Sequence, residues 1–131
     1  VHRKYVKEYK EAEADKLYRA KVKAEGKVNK DKLVDALLSF ENVNLDQRTP
    51  QRVEHRRADL VRNRTVYWVK AENIEEDTFD LILKTQSGTY VKEFVSGDEG
   101  RTTPNFSDAI GVQCYVELLD VLEIDYQQPE A

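Results

Sequence analysis

Methionine is absent from all 131 residues, position 1 included, and cysteine occurs once, at Cys114. Translation begins with methionine, so the chain reads as trimmed, processed or excised from a longer protein. A lone cysteine forms no internal disulfide, and Cys114, His2 and His55 lack metal-ligand spacing, which excludes a disulfide scaffold and a zinc site. No apolar run approaches the about 18 residues that cross a bilayer, and the opening VHRKYVKEYKEAEADK has no signal-peptide core. The expectation is a soluble cytoplasmic protein, or a nuclear one if the source is a eukaryote. The GxSxG, Walker A, GxGxxG, HExxH and CxxC signatures are missing as well, and most enzyme classes lose support with them.

What the chain does carry is charge. Charged residues make up 35% and apolar residues 40% of a 15.2 kDa chain, enough for one modest core beneath an ionised surface. The length suits one domain or one lobe, since domains run about 100 to 150 residues. The net charge of −4 hides an asymmetry: residues 1–64 hold 17 Lys and Arg against 11 Asp and Glu, while residues 65–131 hold 4 against 14. The densest basic stretch, RTPQRVEHRRADLVRNR from Arg48 to Arg64, has six arginines opposed by Glu54 and Asp59. Charge alone reads equally as a phosphate-binding surface or as a solvated loop laced with ion pairs. Tyr67 and Trp68 flank the stretch, and both suit base stacking and strand packing alike.

Periodicity outlines the fold. Tyr5, Val6, Tyr9 and Ala12 predict a helix or frayed extension over 1–15. Tyr18, Ala20, Val22 and Ala24 alternate with Arg19, Lys21 and Lys23, the period of a half-buried strand over 16–24. Asn29 caps a predicted helix with Leu33, Leu37 and Phe40 on one face and Val34 and Leu38 beside them, ending near Glu41. Residues 42–64, broken at Thr49-Pro50, read as an Arg-rich loop or irregular strand. Segments 65–69 and 78–85 predict an antiparallel hairpin about an acidic turn at 72–77. Ser87-Gly88 ends the second strand, a helix begins within 90–95 and stops at Gly97 and Gly100, and 104–110 is a turn and short helix. Residues 112–124 form a long final strand, and 127–131 a polar tail. The fold class is α+β, a mixed, mainly antiparallel sheet flanked by a few helices.

The informative block is KTQSGTYVKEFVSGDEGRTTPN, residues 84–105. Alone it is a strand, a glycine turn and a helix that turns Tyr90 and Phe94 to the core. Its Gly-Thr-Tyr, β-branched, basic run resembles the signature of RNA pseudouridine synthases. Together with KEFVSGDEGRTTPN it is similar to one family in particular, the archaeal and eukaryotic tRNA pseudouridine synthases that modify T-loop uridines 54 and 55. DQRTPQRVEHRRADLVRNR, residues 46–64, resembles that family's Gln-x-Thr-Pro-x-Arg-Val-x-His-Arg-Arg segment. KLYRA at 16–20 is similar to its Lys-x-Tyr-x-Ala strand, and ELLDV at 117–121 to its closing Glu-Leu-Asp-Val strand. The four blocks keep their order and spacing over nearly the whole chain.

The resemblance implies a pseudouridine synthase catalytic fold with RNA in a basic cleft. It also implies a reaction without cofactor or metal, in which an aspartate attacks a flipped-out uridine and the base is rejoined through C5. Tyr18 matches the tyrosine that stacks on the target base and accepts its C5 proton, and Lys92 the basic residue that ion-pairs with the catalytic aspartate. Tyr90, Val91 and Leu119 match the lining of the uracil pocket. Arg48, Arg52, Arg56, Arg57, Arg62 and Arg64 are expected to contact RNA phosphates, and His55 to pack or touch phosphate. A nucleophilic carboxylate in a partly desolvated pocket needs a fixed cation to stay ionised, and a flipped base needs an aromatic face. The family's aspartate lies in an upstream Gly-Arg-x-Asp motif that has no counterpart before Lys16, and Asp15 has the wrong neighbours. Residues 1–126 therefore read as part of a catalytic domain. The implied partners are tRNA and the missing N-terminal part of that domain, on the same longer chain or a second one. The alternative is a non-catalytic RNA-binding or assembly module on the same scaffold, which would have no need of Tyr18 and Lys92.

Overall fold

The structure of the protein, a computed structural model, describes residues 15–56 and 58–125. The chain runs β1 (Asp15–Ala24), α1 (Lys30–Ser39), β2 (Val43–Arg48), β3 (Val61–Glu72), β4 (Thr78–Thr85), α2 (Val91–Ser96), β5 (Thr102–Thr103), α3 (Phe106–Ile110) and β6 (Cys114–Asp125). The strands make one sheet in the order β5-β2-β3-β4-β1-β6, every pairing antiparallel among the described residues. Of the extension expected over 1–15, residues 1–14 lie outside the described residues, as does the tail at 127–131; Asp15 opens β1.

β1 follows its alternation. Tyr18, Ala20, Val22 and Ala24 are buried while Lys21 is exposed. The strand period prevails over the helix propensity of Ala and Lys because β4 and β6 flank β1 and complete both of its hydrogen-bond ladders. In α1 the Asn29 side chain accepts the Lys32 N–H at 3.1 Å, the predicted cap. Leu33, Ala36 and Phe40 are buried, whereas Val34 and Leu38 are 53% and 71% exposed. All four phenylalanines of the chain meet in the core. Phe40 and Phe94 pack edge-on with centroids 4.9 Å apart, and Phe106 lies 5.9 to 6.1 Å from Phe79, Phe40 and Phe94. The predicted hairpin is β3 and β4, and the long final strand is β6.

The segment 42–64 corrects the expectation of a loop or irregular strand. Val43 to Arg48 pair residue for residue with Val66 to Val61, a regular antiparallel ladder. Leu45 and Gln47 point inward, 0% and 2% exposed. A buried glutamine stands where the alternation needs an apolar residue, so hydrophobic pattern alone misses the strand.

β6 and β5 are the edges of the sheet among the described residues. β5 is two residues long, whereas β6 spans twelve and leaves Tyr115, Leu118, Val121 and Leu122 between 42% and 59% exposed.

Candidate functional site

Tyr18 stands near one end of the sheet, between Leu83 of β4 and Val121 of β6, with a bulge against β6 between Leu17 and Tyr18. One step along the same buried face, Ala20 pairs with Leu119. Register thus brings the two predicted residues Tyr18 and Leu119 side by side, with Leu119 half-buried. Burial pushes the Tyr18 phenol above its ordinary pKa, so the ring is neutral throughout the physiological range. At the start of the same strand the buried Asp15 accepts a hydrogen bond from the Tyr67 hydroxyl at 3.2 Å.

From the same end of the sheet, β4 leads through a tight turn into α2. The Thr89 hydroxyl donates to the Gln86 carbonyl at 2.6 Å, and Gly88 has φ +84, a conformation other residues rarely adopt. A Cβ on Gly88 would also lie 3.1 Å from the Arg64 guanidinium. Val91, Phe94 and Val95 are buried, and Leu119 and Val116 of β6 pack against the cluster they join. Tyr90 is the half-buried N-cap rather than a core residue, and Lys92 is exposed. Among the described residues Lys92 has no ion-pair partner.

The arginine-rich segment grips this turn. The Gln47 side chain donates to the Tyr90 carbonyl and accepts the Tyr90 N–H, each at 2.9 Å. Arg52 donates to the buried Glu93 carboxylate at 2.8 Å, and its guanidinium lies 5.9 Å from the Tyr90 ring centroid. A carboxylate that deep is tolerated only when a charged partner compensates it. Beyond α2, Gly97, Asp98, Glu99 and Gly100 all have φ between +46 and +90. Asp98 accepts from the Gln51 N–H at 3.1 Å and from its side chain at 3.2 Å, which anchors this strained run.

The six arginines divide by partner. Arg48 forms a fork with Asp59 at 2.6 to 3.2 Å, and that hydrogen bonding holds the Asp59 carboxyl below the usual carboxylate range. Arg52 is held by Glu93. Arg64 donates from Nη1 to the Asn63 carbonyl at 2.7 Å, and its buried Nε has no hydrogen-bond partner among the described residues. Arg56 and Arg62 have no ion-pair partner among the described residues, and Arg57 lies outside them. His55 is exposed. A groove of about 500 Å³ opens beside the segment between Arg48, Val61 and Arg101; Tyr18 does not line it. Burial pushes the Cys114 thiol up to about 11, which leaves it unreactive. No group of three or more His, Cys, Asp or Glu among the described residues is arranged to hold a metal ion, and no described helix is long and apolar enough to cross a membrane.

The family described as "Pus10, C-terminal" matches residues 1–125. The chain belongs to this family. It is 49% identical over 94 residues to the tRNA pseudouridine synthase Pus10 of Methanococcus voltae, covering 72% of this chain and 18% of that protein. It is 46% identical over 109 residues to the Pus10 of Pyrococcus furiosus, covering 83% and 28%. With the Pus10 of Homo sapiens the identity is 40% over 121 residues, covering 92% and 23%. The chain thus spans 18 to 28% of the length of these relatives. In fold it is similar to a chain of a Cbf5-Nop10-Gar1 complex, with a TM-score of 0.69 and 24% identity over 86% of this chain and 31% of that one. A chain of an H/ACA RNP bound to a substrate RNA containing 2'-deoxyuridine gives 0.61 and 22%, over 86% and 29%. Both share the architecture, an antiparallel sheet with few helices.

Within this Pus10 C-terminal segment, sequence reasoning missed Gln47, Glu93, Asp98 and Arg101 as organisers of the site. Arg101 donates to the Thr49 carbonyl at 2.8 Å and to Glu54 at 2.9 Å, closing the turn after β2. The available signal was Gln47 at an inward position of a Val43, Leu45, Gln47 alternation, where a polar side chain must find partners.

Proposed function

We propose that this chain is part of the catalytic domain of a tRNA pseudouridine synthase whose complete form isomerises uridine to pseudouridine at T-loop positions 54 and 55. Residues 1–126 belong to that domain and 127–131 to its tail. Lys92 carries the reading: it stands exposed, with no ion-pair partner among the described residues, in the first turn of a helix whose other residues are buried or hydrogen-bonded. A surface lysine needs no such scaffold, whereas a cation that must meet a carboxylate from elsewhere in the protein does.

In this reading an upstream aspartate attacks the flipped-out nucleotide, the N1 glycosidic bond breaks and the base rejoins through C5. Lys92 keeps that aspartate ionised against the desolvation of the pocket. Tyr18 offers its ring to the uracil and takes the C5 proton, while Tyr90, Val91 and Leu119 line the pocket. Arg56, Arg57, Arg62 and Arg64 supply phosphate contacts without reading bases. Arg48 lies at the same surface with its charge balanced by Asp59. The reaction needs no cofactor, and its substrate sets the compartment as cytoplasm or, in a eukaryote, nucleus.

The test compares this 131-residue chain with the complete protein on unmodified tRNA transcript, assayed for pseudouridine. Turnover by the complete protein and none by the chain supports the reading. Turnover by the chain alone would require a nucleophile within it, and none by the complete protein would sink the reading.

A further inference from the structure

We propose that Gln47 and Arg52 are positioning residues that hold Lys92 and Tyr90 in their working geometry, a proposal that rests on the functional reading above. α2 is six residues long, too short to hold itself in water, and its N-cap Tyr90 makes no side-chain capping bond. Its first turn is set instead by side chains from β2 and the turn that follows it. The Gln47 carboxamide spans the N–H and C=O of Tyr90 as a neighbouring strand would, and so fixes the backbone from which the helix starts. The Tyr90 N–H and carbonyl fix which way the amide faces, and its Nε2 donates as well to the Thr102 hydroxyl at 3.3 Å. Past Lys92, Arg52 holds the buried Glu93 with Nε and Nη2 at 2.8 and 3.4 Å. Lys92 is therefore bracketed, with the residue two before it and the residue after it each held by a side chain more than 40 positions away.

The Arg52 contact has a second effect. Glu93 is the acidic residue of the first turn of α2, and Arg52 cancels its charge. The Lys92 ammonium is left for a carboxylate that arrives from outside the described residues. Arg52, committed to Glu93 and lying against the Tyr90 ring, drops out of the set of cations that meet phosphate.

The experiment uses the complete enzyme, with single-turnover rates at saturating tRNA, tRNA affinity, and the salt dependence of that affinity. Arg52→Ala is expected to slow turnover by about 10- to 100-fold through misplacement of the reacting groups, with affinity and salt slope those of wild type. The double variant R52Q/E93Q keeps a hydrogen bond without either charge and should recover most of that rate. Gln47→Ala should slow turnover to a similar extent and speed amide exchange at Tyr90. A lower salt slope in Arg52→Ala with an unchanged saturating rate would make Arg52 a phosphate ligand and overturn the proposal. A folded R52Q/E93Q as slow as Arg52→Ala would also sink it. If the wild-type enzyme makes no pseudouridine, the functional reading is what fails. Hydrogen exchange then decides the clamp itself: unchanged exchange at Tyr90 and Phe94 in both Gln47→Ala and Arg52→Ala removes it.

Discussion

The arginine-rich segment and the first turn of α2 carry the same sign of charge, partly cancelled in the one and left open in the other. In the segment, Arg48 is forked onto Asp59 and Arg52 onto Glu93, so two of its six arginines are cancelled where they stand. In the helix Lys92 is left uncancelled among the described residues, with Phe94 and Val95 buried beside it in sequence. Availability of a cation therefore depends on where the carboxylates fall in space, not on how many cations crowd together in sequence. The two regions also depend on each other, because the segment that looks like a nucleic-acid patch is what holds the turn that presents Lys92.

Removing the free cation should have the largest effect. Lys92→Ala in the complete enzyme is expected to cost about a hundredfold or more in single-turnover rate, as loss of one positioned charge in a water-poor site does, while tRNA affinity stays close to wild type. Lys92→Arg should retain more activity, limited by the larger planar head group. Equal rates for Lys92→Ala and wild type would erase the contrast between held and free cations. Next comes the support under that lysine. Phe94→Ala removes a fully buried ring from the aromatic cluster and should destabilise the domain by about 3 to 5 kcal/mol, read as a lowered denaturation midpoint.

The remaining predictions sharpen the division among the arginines. Arg56→Ala with Arg62→Ala should lower the log-log salt slope of tRNA binding by about 1.5 to 2, the release expected for two lost phosphate contacts. Arg48→Ala should leave that slope almost unchanged and lower the denaturation midpoint little, as loss of a solvent-screened ion pair does. A slope change in Arg48→Ala equal to that of the unpaired arginines would show that the Asp59 fork opens for RNA. The smallest effect is in pH. Asp59 is held below its ordinary range by Arg48, so its contribution is present above the unfolded-state value and is lost as pH falls through the folded one. The difference in melting temperature between wild type and Asp59→Asn should shrink as the solution is taken from neutral pH to below the ordinary aspartate range.

Several elements were legible because their causes are local. The alternation of β1, the Asn29 cap of α1, the hairpin about its acidic turn and the glycine stop after α2 all depend on residues within one or two turns of one another. The length of β2 was not legible, since Gln47 occupies an inward position and is satisfied by Tyr90, 43 residues away. Tyr90 and Phe94, equal candidates for the core by spacing, parted for the same reason. Phe94 found two aromatic neighbours, Phe40 and Phe106, while Tyr90 stayed at the rim beneath Arg52.

By itself the amino-acid order determined the α+β pattern, the core faces of β1 and α1 and the four blocks that carry the family likeness, because period, capping and turn chemistry act over a few residues. Tertiary structure alone decided which cations remain free. Arg48 meets Asp59 across 11 positions and Arg52 meets Glu93 across 41, and such pairs form only once the sheet has brought β2, the turn after it and α2 together. A coulombic partner is chosen by distance in space, on which sequence spacing of that length sets no limit.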